Sequence, residues 1–560
     1  SRRTVARPMV SDELYKRRLL LPLLTVVIVG VFVMRLFFLQ IASNDYKRRA
    51  ENNAYYILST IPARGVIYDR YGQLLVANRP IYDLMVVMHQ AKDKLDTTLL
   101  ASTLGLPREE LVARLAAVRD RSINRGYNPY TPQVLLSQLE PEDVGRFEEQ
   151  LYKFPGFSGR SRTIRQYDYH NAAHLLGYMS EASTADLERD SAIMSGDFVG
   201  RSGVERTYDE VLRGEKGQEI FYRDARGRIQ GRLDGGTHDK APVPGRDLTL
   251  SIDAGLQALG ERMMRGKRGA IVAIEPETGE VLAMVTAPNY DPALLAGKDK
   301  GNNHRMLEES YGKPLLNRAI QGNYPPGSTF KPAQGAIFLA EGVLTPSTPL
   351  SCYGGYPRLG GKPKCHPHGS PISLIPALAT SCNAYFCWGM HFLLDDRKRY
   401  PSVEVALEHW KERIVRLGYG YRLGVDLPGE KRGYIPNSSV YDKAYKGRWN
   451  SSTIISISIG QGEVLATPLQ IANLAAIIAN RGSYVRPHLV RHISGQRLDT
   501  MYTQRQQSGI SPEHWEYIVQ GMAQAVTGGT CRAANFAPGQ IEVCGKTGTA
   551  ENPHGKDHSA

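Results

Sequence analysis

The longest apolar run of the chain lies close to its N-terminus. Residues 19–34 carry no charge, Arg35 interrupts the run, and residues 36–41 continue it. The whole span is long enough to cross a bilayer, with Arg35 near one end, where its charge can reach the interface. The six Lys and Arg residues before position 19 favour a cytoplasmic N-terminus. We therefore predict a cytoplasmic tail (1–18) and a transmembrane helix (19–41), and prefer this anchor to a cleaved signal peptide because the run is too long for one.

Strand and helix patterns alternate along the rest of the chain. Residues 66–75 have the pattern of a strand, a glycine turn and a second strand. Residues 99–118 have helical spacing, with a helix N-terminal signal at 106–110. Residues 248–252 alternate and are followed by a helix start, and residues 269–274 and 280–286 are predicted to form two strands joined by a turn. A sheet combined with helices predicts a multidomain α/β (α+β) fold.

The segment Ala-Pro-Val-Pro-Gly at 241–245 is the best candidate for a linker. We therefore predict a non-catalytic pedestal for dimerisation or docking over residues 46–245 and a catalytic domain over residues 246–560. The 560 residues have a net charge of +13, which suits nucleic acid, an anionic membrane or an acidic polymer. Because the sequence contains no recognisable nucleic-acid module, we expect a membrane surface or an anionic envelope substrate.

The first candidate catalytic pair is Ser328 and Lys331, which follows the helix-breaking residues 325–327 (Pro-Pro-Gly). Residues three apart lie on one face of a helix. A serine needs a proton acceptor, and a lysine serves only when burial or another cation lowers its pKa. The spacing alone is weak, since Ser310 and Lys313 share it.

A second motif, Ser381-Cys382-Asn383, heads a predicted helix. Ser381 can pass a proton between Lys331 and a leaving amine. Asn383 can hold both the lysine and a substrate amide. Both roles are needed for acyl transfer, so this motif complements the first.

A third motif, Lys546-Thr547-Gly548, follows residues 541–544, which are predicted to form a strand. Lys546 supplies a second cation that lowers the pKa of Lys331 and attracts a carboxylate. Gly548 allows a substrate backbone to lie against the strand. The three motifs together are characteristic of penicillin-binding proteins and class A β-lactamases.

With these motifs the chain resembles a class B penicillin-binding protein, a monofunctional peptidoglycan D,D-transpeptidase. The resemblance covers nearly the whole length, because residues 64–72, 174–178 and 200–206 look like the signatures of the family's pedestal. Residues 460–470 are similar to its turn into a core helix. The Pro-Pro-Gly before Ser328 and the Gly-Val-Glu-Arg at 203–206 look most like the elongation type, penicillin-binding protein 2.

The resemblance implies a single transmembrane helix, an elongated β-rich pedestal and a penicillin-binding/serine β-lactamase-like transpeptidase domain. It implies an inner-membrane protein, periplasmic in bulk, that cross-links peptidoglycan stem peptides during elongation and is acylated at Ser328 by β-lactam antibiotics. The oxyanion hole would be the N–H groups of Ser328 and Thr549, with Thr547 and Thr549 binding the substrate carboxylate. Catalysis would need no cofactor. The implied partners are a SEDS-family glycosyltransferase and other elongation proteins, without nucleic acid.

The family's chain continues after the Lys-Thr-Gly strand with more sheet and a C-terminal helix. This sequence ends at Ala560. We therefore expect the transpeptidase domain to be truncated at its C-terminus.

All six cysteines follow residue 350, and four residues with short spacing, Cys352, Cys365, His368 and Cys382, could form a closed zinc site. His366 could replace His368. Some members of the penicillin-binding protein 2 type resemble this, with zinc held by mixed carboxylate, His and Cys ligands. The alternatives are a Cys352–Cys365 disulfide or buried, inert thiols.

Two further functions remain open on sequence alone. A D,D-carboxypeptidase or β-lactamase of the same fold would need a base and a positioned water for deacylation. The sequence does not identify a residue for that base. A non-catalytic scaffold that activates a glycosyltransferase would not need the three motifs. Removing Ser328 separates these alternatives, because a scaffold would keep its activity and an enzyme would lose it.

Overall fold

The computed structural model describes residues 12–37, 55–91, 95–122, 124, 127–194, 196–224, 229–537, 539–550 and 558–559. The α-helices of these residues are α1 Asp12–Phe37, α2 Met88–Ala91, α3 Thr97–Leu104, α4 Arg108–Arg119, α5 Pro141–Glu148, α6 Ala173–Leu176, α7 Thr184–Arg189, α8 Gly203–Thr207, α9 Asp209–Arg213, α10 Ala254–Met263, α11 Lys300–Glu309, α12 Arg318–Gln321, α13 Lys331–Ala340, α14 Leu374–Ala379, α15 Asn383–Leu394, α16 Val403–Arg416, α17 Ser438–Tyr445, α18 Pro468–Ala479 and α19 Pro512–Thr527.

The strands alternate with these helices, so the predicted mixture of sheet and helix is confirmed. They are β1 Tyr55–Thr60, β2 Ile67–Tyr68, β3 Leu74–Val86, β4 Gln133–Leu139, β5 Phe157–Gln166, β6 Met179–Glu181, β7 Phe198–Gly200, β8 Gly217–Arg223, β9 Ile229–Arg232, β10 Leu248–Leu250, β11 Gly269–Ile274, β12 Val281–Ala287, β13 Ser483–Val485, β14 Val490–Ile493, β15 Arg505–Gln507, β16 Thr549–Ala550 and β17 His558–Ser559.

The chain divides into two compact units that are interleaved in sequence. The first comprises residues 1–62, 81–162 and 215–243, and the second residues 63–80, 163–214 and 244–560. The predicted pedestal, 46–245, therefore contributes to both units. The second unit contains all of the candidate catalytic residues.

The first unit pairs β1 with β8 and β8 with β9, both antiparallel. A separate apolar core forms where α3, α4 and α5 pack with β4. Phe147 and Phe154 stack in it with ring centroids 5.5 Å apart. The helical spacing of 99–118 forms two helices, because Gly105 takes a left-handed conformation with φ 65° that ends α3. Helix α4 begins at Arg108, within the helix N-terminal signal predicted at 106–110.

The second unit contains a sheet in which β10 lies between β14, antiparallel, and β2, parallel. The antiparallel pair β11–β12 confirms the two strands predicted there. Glu205, in the signature segment 200–206, is fully buried and accepts hydrogen bonds of 2.6 Å from both Arg64 and Arg165. This ion cluster joins three distant segments of the chain.

Helix α13 lies at the centre of the largest apolar core, and every residue from Lys331 to Leu339 is buried. The core packs α13 against α15, α16 and α19. Each fully buried aromatic side chain contributes roughly 1.5–3 kcal/mol to the free energy of unfolding. The largest ones of this cluster are Trp410, Trp515, Tyr356, Tyr385, Tyr419 and Tyr441.

Helix α1 covers most of the predicted transmembrane segment, and residues 38–41 of that segment lie outside the described residues. The side chains of residues 22–36 are exposed. Within the described parts of the chain, no helix reaches the length and apolar character that a membrane span requires.

Candidate active site

The Ser328–Lys331 pair lies where a short 3-10 helix, Gly327–Phe330, runs into α13. Ser328 is half-buried, and its carbonyl accepts a hydrogen bond from the Lys331 backbone N–H. Lys331 is completely buried and is the first residue of α13. The sequence predicted that both residues lie on one helix; the structure instead places the serine in the preceding 3-10 helix, one turn before α13.

Gly327 fixes the position of the serine. Its φ is +55°, a conformation that favours glycine, and an added Cβ would lie 2.6 Å from the carbonyl oxygen of Thr549. Its N–H donates a hydrogen bond of 2.8 Å to the carbonyl of Gly460. The backbones of the first and third motifs therefore touch beside Ser328, where an oxyanion hole would have to form.

The ammonium group of Lys331 is held by the second motif. It donates hydrogen bonds to Asn383 Oδ1 at 2.5 Å, to the Ser381 carbonyl at 2.8 Å and to Ser381 Oγ at 3.2 Å. Burial, followed by the charge of Lys546, lowers the pKa of Lys331 to about 7. Lys331 is therefore a base that is partly neutral at neutral pH.

Ser381 lies between the two lysines. Lys546 Nζ donates to Ser381 Oγ at 2.8 Å and to the Thr547 carbonyl at 2.9 Å. Burial lowers the pKa of Lys546 to about 8. Ser381 has φ 57°, an uncommon left-handed conformation for a residue with a side chain. The structure thus brings all three motifs to one hydroxyl group.

The end of the third motif lies against the first. Gly548 is buried, and strand β16 begins at Thr549. The strand predicted over 541–544 is wrong: residues 541–548 pair with no strand of the described chain, whereas Thr549 and Ala550 pair with β17. Thr547 Oγ1 instead donates a hydrogen bond of 2.9 Å to Thr530 Oγ1.

The four predicted metal ligands come together next to the second motif. The ligand atoms of Cys352, Cys365, His368 and Cys382 all lie within 4.8 Å of one another. The Cys365 and Cys382 sulfurs are 3.9 Å apart. A hydrogen bond from the Cys382 thiol lowers the pKa of Cys365 to about 5.

The structure also shows how the other candidate arrangements of these cysteines and histidines stand. All six cysteines are free, so the structure contains no Cys352–Cys365 disulfide. His366 is exposed and lies outside the cluster, whereas His368 is part of it. Cys387 is fully buried in the core, as an inert thiol would be.

Several supporting contacts have no signal in the sequence. Trp410 donates a hydrogen bond of 2.8 Å to Gln334 in the buried middle of α13, and Asn383 donates one of 2.6 Å to the Lys364 carbonyl. Thr530 reaches the third motif only through the fold. Gly460 could be expected from the sequence, because it begins the segment 460–470 that resembles the family's turn into a core helix.

Comparison with known families gives two matches that together span most of the chain. Residues 269–560 match the penicillin binding protein transpeptidase domain, and residues 59–250 match the penicillin-binding protein dimerisation domain. The chain is 31% identical to the peptidoglycan D,D-transpeptidase MrdA of Acinetobacter baumannii, over 97% of this chain and 79% of that protein. It is 30% identical to MrdA of Escherichia coli K12, over 97% and 85% of the two chains.

Solved structures agree with these matches. The chain is similar to Pseudomonas aeruginosa PBP2 in complex with WCK 5153, at a TM-score of 0.64 and 28% identity over 90% of this chain and 88% of that one. A structure described as a peptidoglycan synthase complex that coordinates polymerization and crosslinking matches at 0.63 and 28%, over 96% and 89%. Helicobacter pylori PBP2 in complex with MreC shares the fold at 0.75 and 23%, over 90% and 91%.

Proposed function

Since this chain belongs to the penicillin-binding protein transpeptidase family and is a peptidoglycan D,D-transpeptidase, we propose that it cross-links stem peptides through an acyl-enzyme on Ser328. The serine Oγ attacks the carbonyl of the donor's terminal D-alanyl-D-alanine bond, and D-alanine leaves as an amine. An acceptor amine then attacks the ester and restores the serine. Catalysis needs no cofactor.

Lys331 is the base of this scheme. Its neutral form takes the proton of Ser328 as the serine attacks, and Ser381 passes a proton to the leaving amine. Asn383 holds the Lys331 nitrogen in place through the 2.5 Å hydrogen bond. In the second half-reaction the proton of the acceptor amine returns along the same groups, so no proton is gained or lost over the cycle.

The oxyanion of the tetrahedral intermediate is bound by the backbone N–H groups of Ser328 and Thr549. The close approach of Gly327 to Thr549 supports this, because it brings the two backbones together. Lys546 remains charged and, with the hydroxyls of Thr547 and Thr549, binds the carboxylate of the donor peptide.

The observation that carries the proposal is the burial of Lys331 between Ser381 and Asn383 with its pKa lowered to about 7. The test is intact mass after incubation with a penicillin, on the protein and on Ser328→Ala. Ser310→Ala is the matched control, since Ser310 and Lys313 have the same spacing but are exposed. A single stable adduct that is lost only in Ser328→Ala supports the assignment.

Three other outcomes contradict it. An adduct that survives in Ser328→Ala places the nucleophile elsewhere. A folded protein that forms no adduct but consumes penicillin is a hydrolase rather than a transpeptidase. One that does neither has a closed site or acts as a scaffold.

We also propose that Cys352, Cys365, His368 and Cys382 hold a structural zinc ion. His368 Nδ1 lies 2.7 Å from the Gly369 carbonyl, which fixes the proton on Nδ1 and leaves Nε2 free to bind metal. Nε2 is buried and has no hydrogen-bond partner among the described residues. A tetrahedral zinc site with Zn–S bonds of about 2.3 Å separates its sulfurs by roughly 3.8 Å, close to the 3.9 Å of Cys365 and Cys382. The ion would tie the loop before His368 to the second motif.

Residues 19–41 are proposed to anchor the protein in the inner membrane, with its bulk in the periplasm. The support is the length of the apolar run and the basic residues before it. We propose a SEDS-family glycosyltransferase of the elongation machinery as the membrane partner, in line with the similarity to a chain of a peptidoglycan synthase complex. Protease protection of residues 1–18 in sealed membranes, with the rest digested only from the periplasmic side, tests the orientation.

A further inference from the structure

A cationic cavity of about 170 Å³ lies in the transpeptidase domain, away from the three motifs. Its polar and charged lining side chains are those of Lys411, Tyr421, Arg432, Tyr434 and Asn437. Lys411 and Tyr434 are half-buried, whereas Tyr421, Arg432 and Asn437 are exposed at the rim. None of these five side chains makes an ion pair or a hydrogen bond with another residue of the described chain. Two cations with no acidic partner at one concave surface raise the local positive potential, which makes the cavity a candidate site for an anion.

The acidic residues nearest in sequence do not supply that anion. Glu408 accepts the backbone N–H of Ser438 at 2.7 Å, which places its carboxylate at the start of α17. Glu430 is buried and accepts the N–H of Leu423 at 2.7 Å. Glu412 is exposed and forms no ion pair with another described residue. None of these three carboxylates pairs with Lys411 or Arg432, so both cations can bind an external anion.

The frame of the cavity is held by one buried amide. Gln470 is completely buried, and its Nε2 donates to the carbonyls of Gly418 at 3.0 Å, Tyr421 at 2.8 Å and Arg432 at 3.0 Å. The backbones of Tyr421 and Arg432, two of the lining residues, are thus held relative to each other before any ligand arrives. A site that is fixed in advance spends less binding free energy on ordering.

We propose that this cavity binds a phosphate group. The guanidinium of Arg432 and the ammonium of Lys411 match its two negative charges. The hydroxyls of Tyr421 and Tyr434 and the amide of Asn437 can donate to its remaining oxygens. A carboxylate offers one charge and two oxygens and would leave one cation unpaired. The phosphate group can belong to a lipid headgroup or to a soluble molecule.

Calorimetric titration of the detergent-solubilised full chain with inorganic phosphate tests the site. Changing Lys411→Gln together with Arg432→Gln is expected to weaken phosphate binding by about tenfold or more. The matched control, Lys443→Gln with Arg448→Gln, removes the same two kinds of charge from exposed positions outside the cavity and is expected to have no effect. Penicillin adduct formation confirms that each variant is folded.

A second titration with dihexanoyl phosphatidic acid identifies the source. Lipid binding that is lost in the cavity variant supports a headgroup site, and phosphate binding without lipid binding supports a soluble ligand. Equal weakening in the cavity and control variants would show a general charge effect and overturn the proposal. Acetate that binds as tightly as phosphate, or phosphate that does not saturate, overturns it as well.

Discussion

Lys331 Nζ lies 2.5 Å from Asn383 Oδ1, a contact that joins the first catalytic motif to the second inside the protein. The amide oxygen is an uncharged acceptor, so it orients the Lys331 nitrogen without forming an ion pair that would stabilise the charged form. The lysine is thereby both buried and able to act as a base. The predictions about catalysis follow from this arrangement.

Replacing Lys331 by Met keeps the volume of the side chain in the core but removes the base. We expect acylation by a penicillin to fall by at least about 10²-fold, the usual contribution of general base catalysis. The measurement is the second-order rate of adduct formation by mass spectrometry. Lys313→Met, in the exposed pair of the same spacing, is the control and should acylate normally. Normal acylation of Lys331→Met contradicts the role given to this lysine.

Acylation is expected to depend on pH as a bell-shaped curve. Lowered pKa values mean that the neutral form of Lys331 appears as pH rises through about 7, and that Lys546 loses its charge above about 8. The rate should therefore rise through pH 7, because the base becomes neutral, and fall above pH 8, because the carboxylate site loses its cation. The rate constant measured from pH 5 to 10 checks both limbs.

The variant Lys546→Gln separates the two lysines in that profile. The charge of Lys546 is the second cause of the lowered pKa of Lys331, after burial. Removing it should move the ascending limb to higher pH and abolish the descending limb. An ascending limb that keeps its position would show that Lys546 does not act on the group that titrates there.

Gly327→Ala tests the contact between the first and third motifs. The new Cβ would lie 2.6 Å from the Thr549 carbonyl oxygen at a φ of +55°. We expect the oxyanion site to be displaced and acylation to fall about 10²–10³-fold, as when one oxyanion donor is lost. Gly297→Ala is the control, because Gly297 also has a positive φ, of +75°, but no atom within 4 Å of the added Cβ. Equal losses in both variants would show a backbone effect only.

Cys365→Ser tests the metal site. The purified protein is expected to contain about one zinc ion per chain and the variant markedly less, since a thiolate ligand is lost. Cys544→Ser, at an exposed cysteine outside the cluster, should keep its zinc. Elemental analysis measures the zinc. Protein that is pure, active and free of zinc contradicts the proposal.

The catalytic residues could be predicted from the sequence because each motif is short and its chemistry depends on residue type. Ser328 and Lys331 are three positions apart, so local geometry alone makes them neighbours. The contact of Lys546 with Ser381 could be expected only through the resemblance to a family, since no local rule connects them. The meeting of the three motifs is a property of the fold.

Other features could not be predicted because tertiary contacts decide them. The sequence Ile-Glu-Val-Cys at 541–544 suggested a strand, but in the described part of the chain pairing begins at Thr549. The apolar spacing of 99–118 continues across Gly105, although Pro107 and the acidic residues after it signal the start of the second helix at Arg108. The cationic cavity depends on Gln470, which contacts residues far away in the sequence.

The buried cluster around Glu205 gives a prediction about stability. Burial by itself raises the pKa of this carboxyl group, but Arg165 and Arg64 outweigh it and hold the pKa below its usual value. Glu205→Gln keeps the shape and leaves two buried guanidinium groups without their shared charge. We expect a loss of about 3–5 kcal/mol in the free energy of unfolding. Urea unfolding measured by tryptophan fluorescence checks it.

The same substitution at an exposed pair is the control for this loss. Glu215 makes an ion pair of 2.7 Å with Lys240 at the surface, and Glu215→Gln should leave the unfolding midpoint nearly unchanged. Because the pKa of Glu205 is lowered in the folded protein, its contribution is complete above the pKa of the unfolded chain and is lost as pH falls through the folded value. The difference between wild type and Glu205→Gln should therefore shrink in acid. A difference that does not change with pH would show that Glu205 stabilises the fold by packing and not by charge.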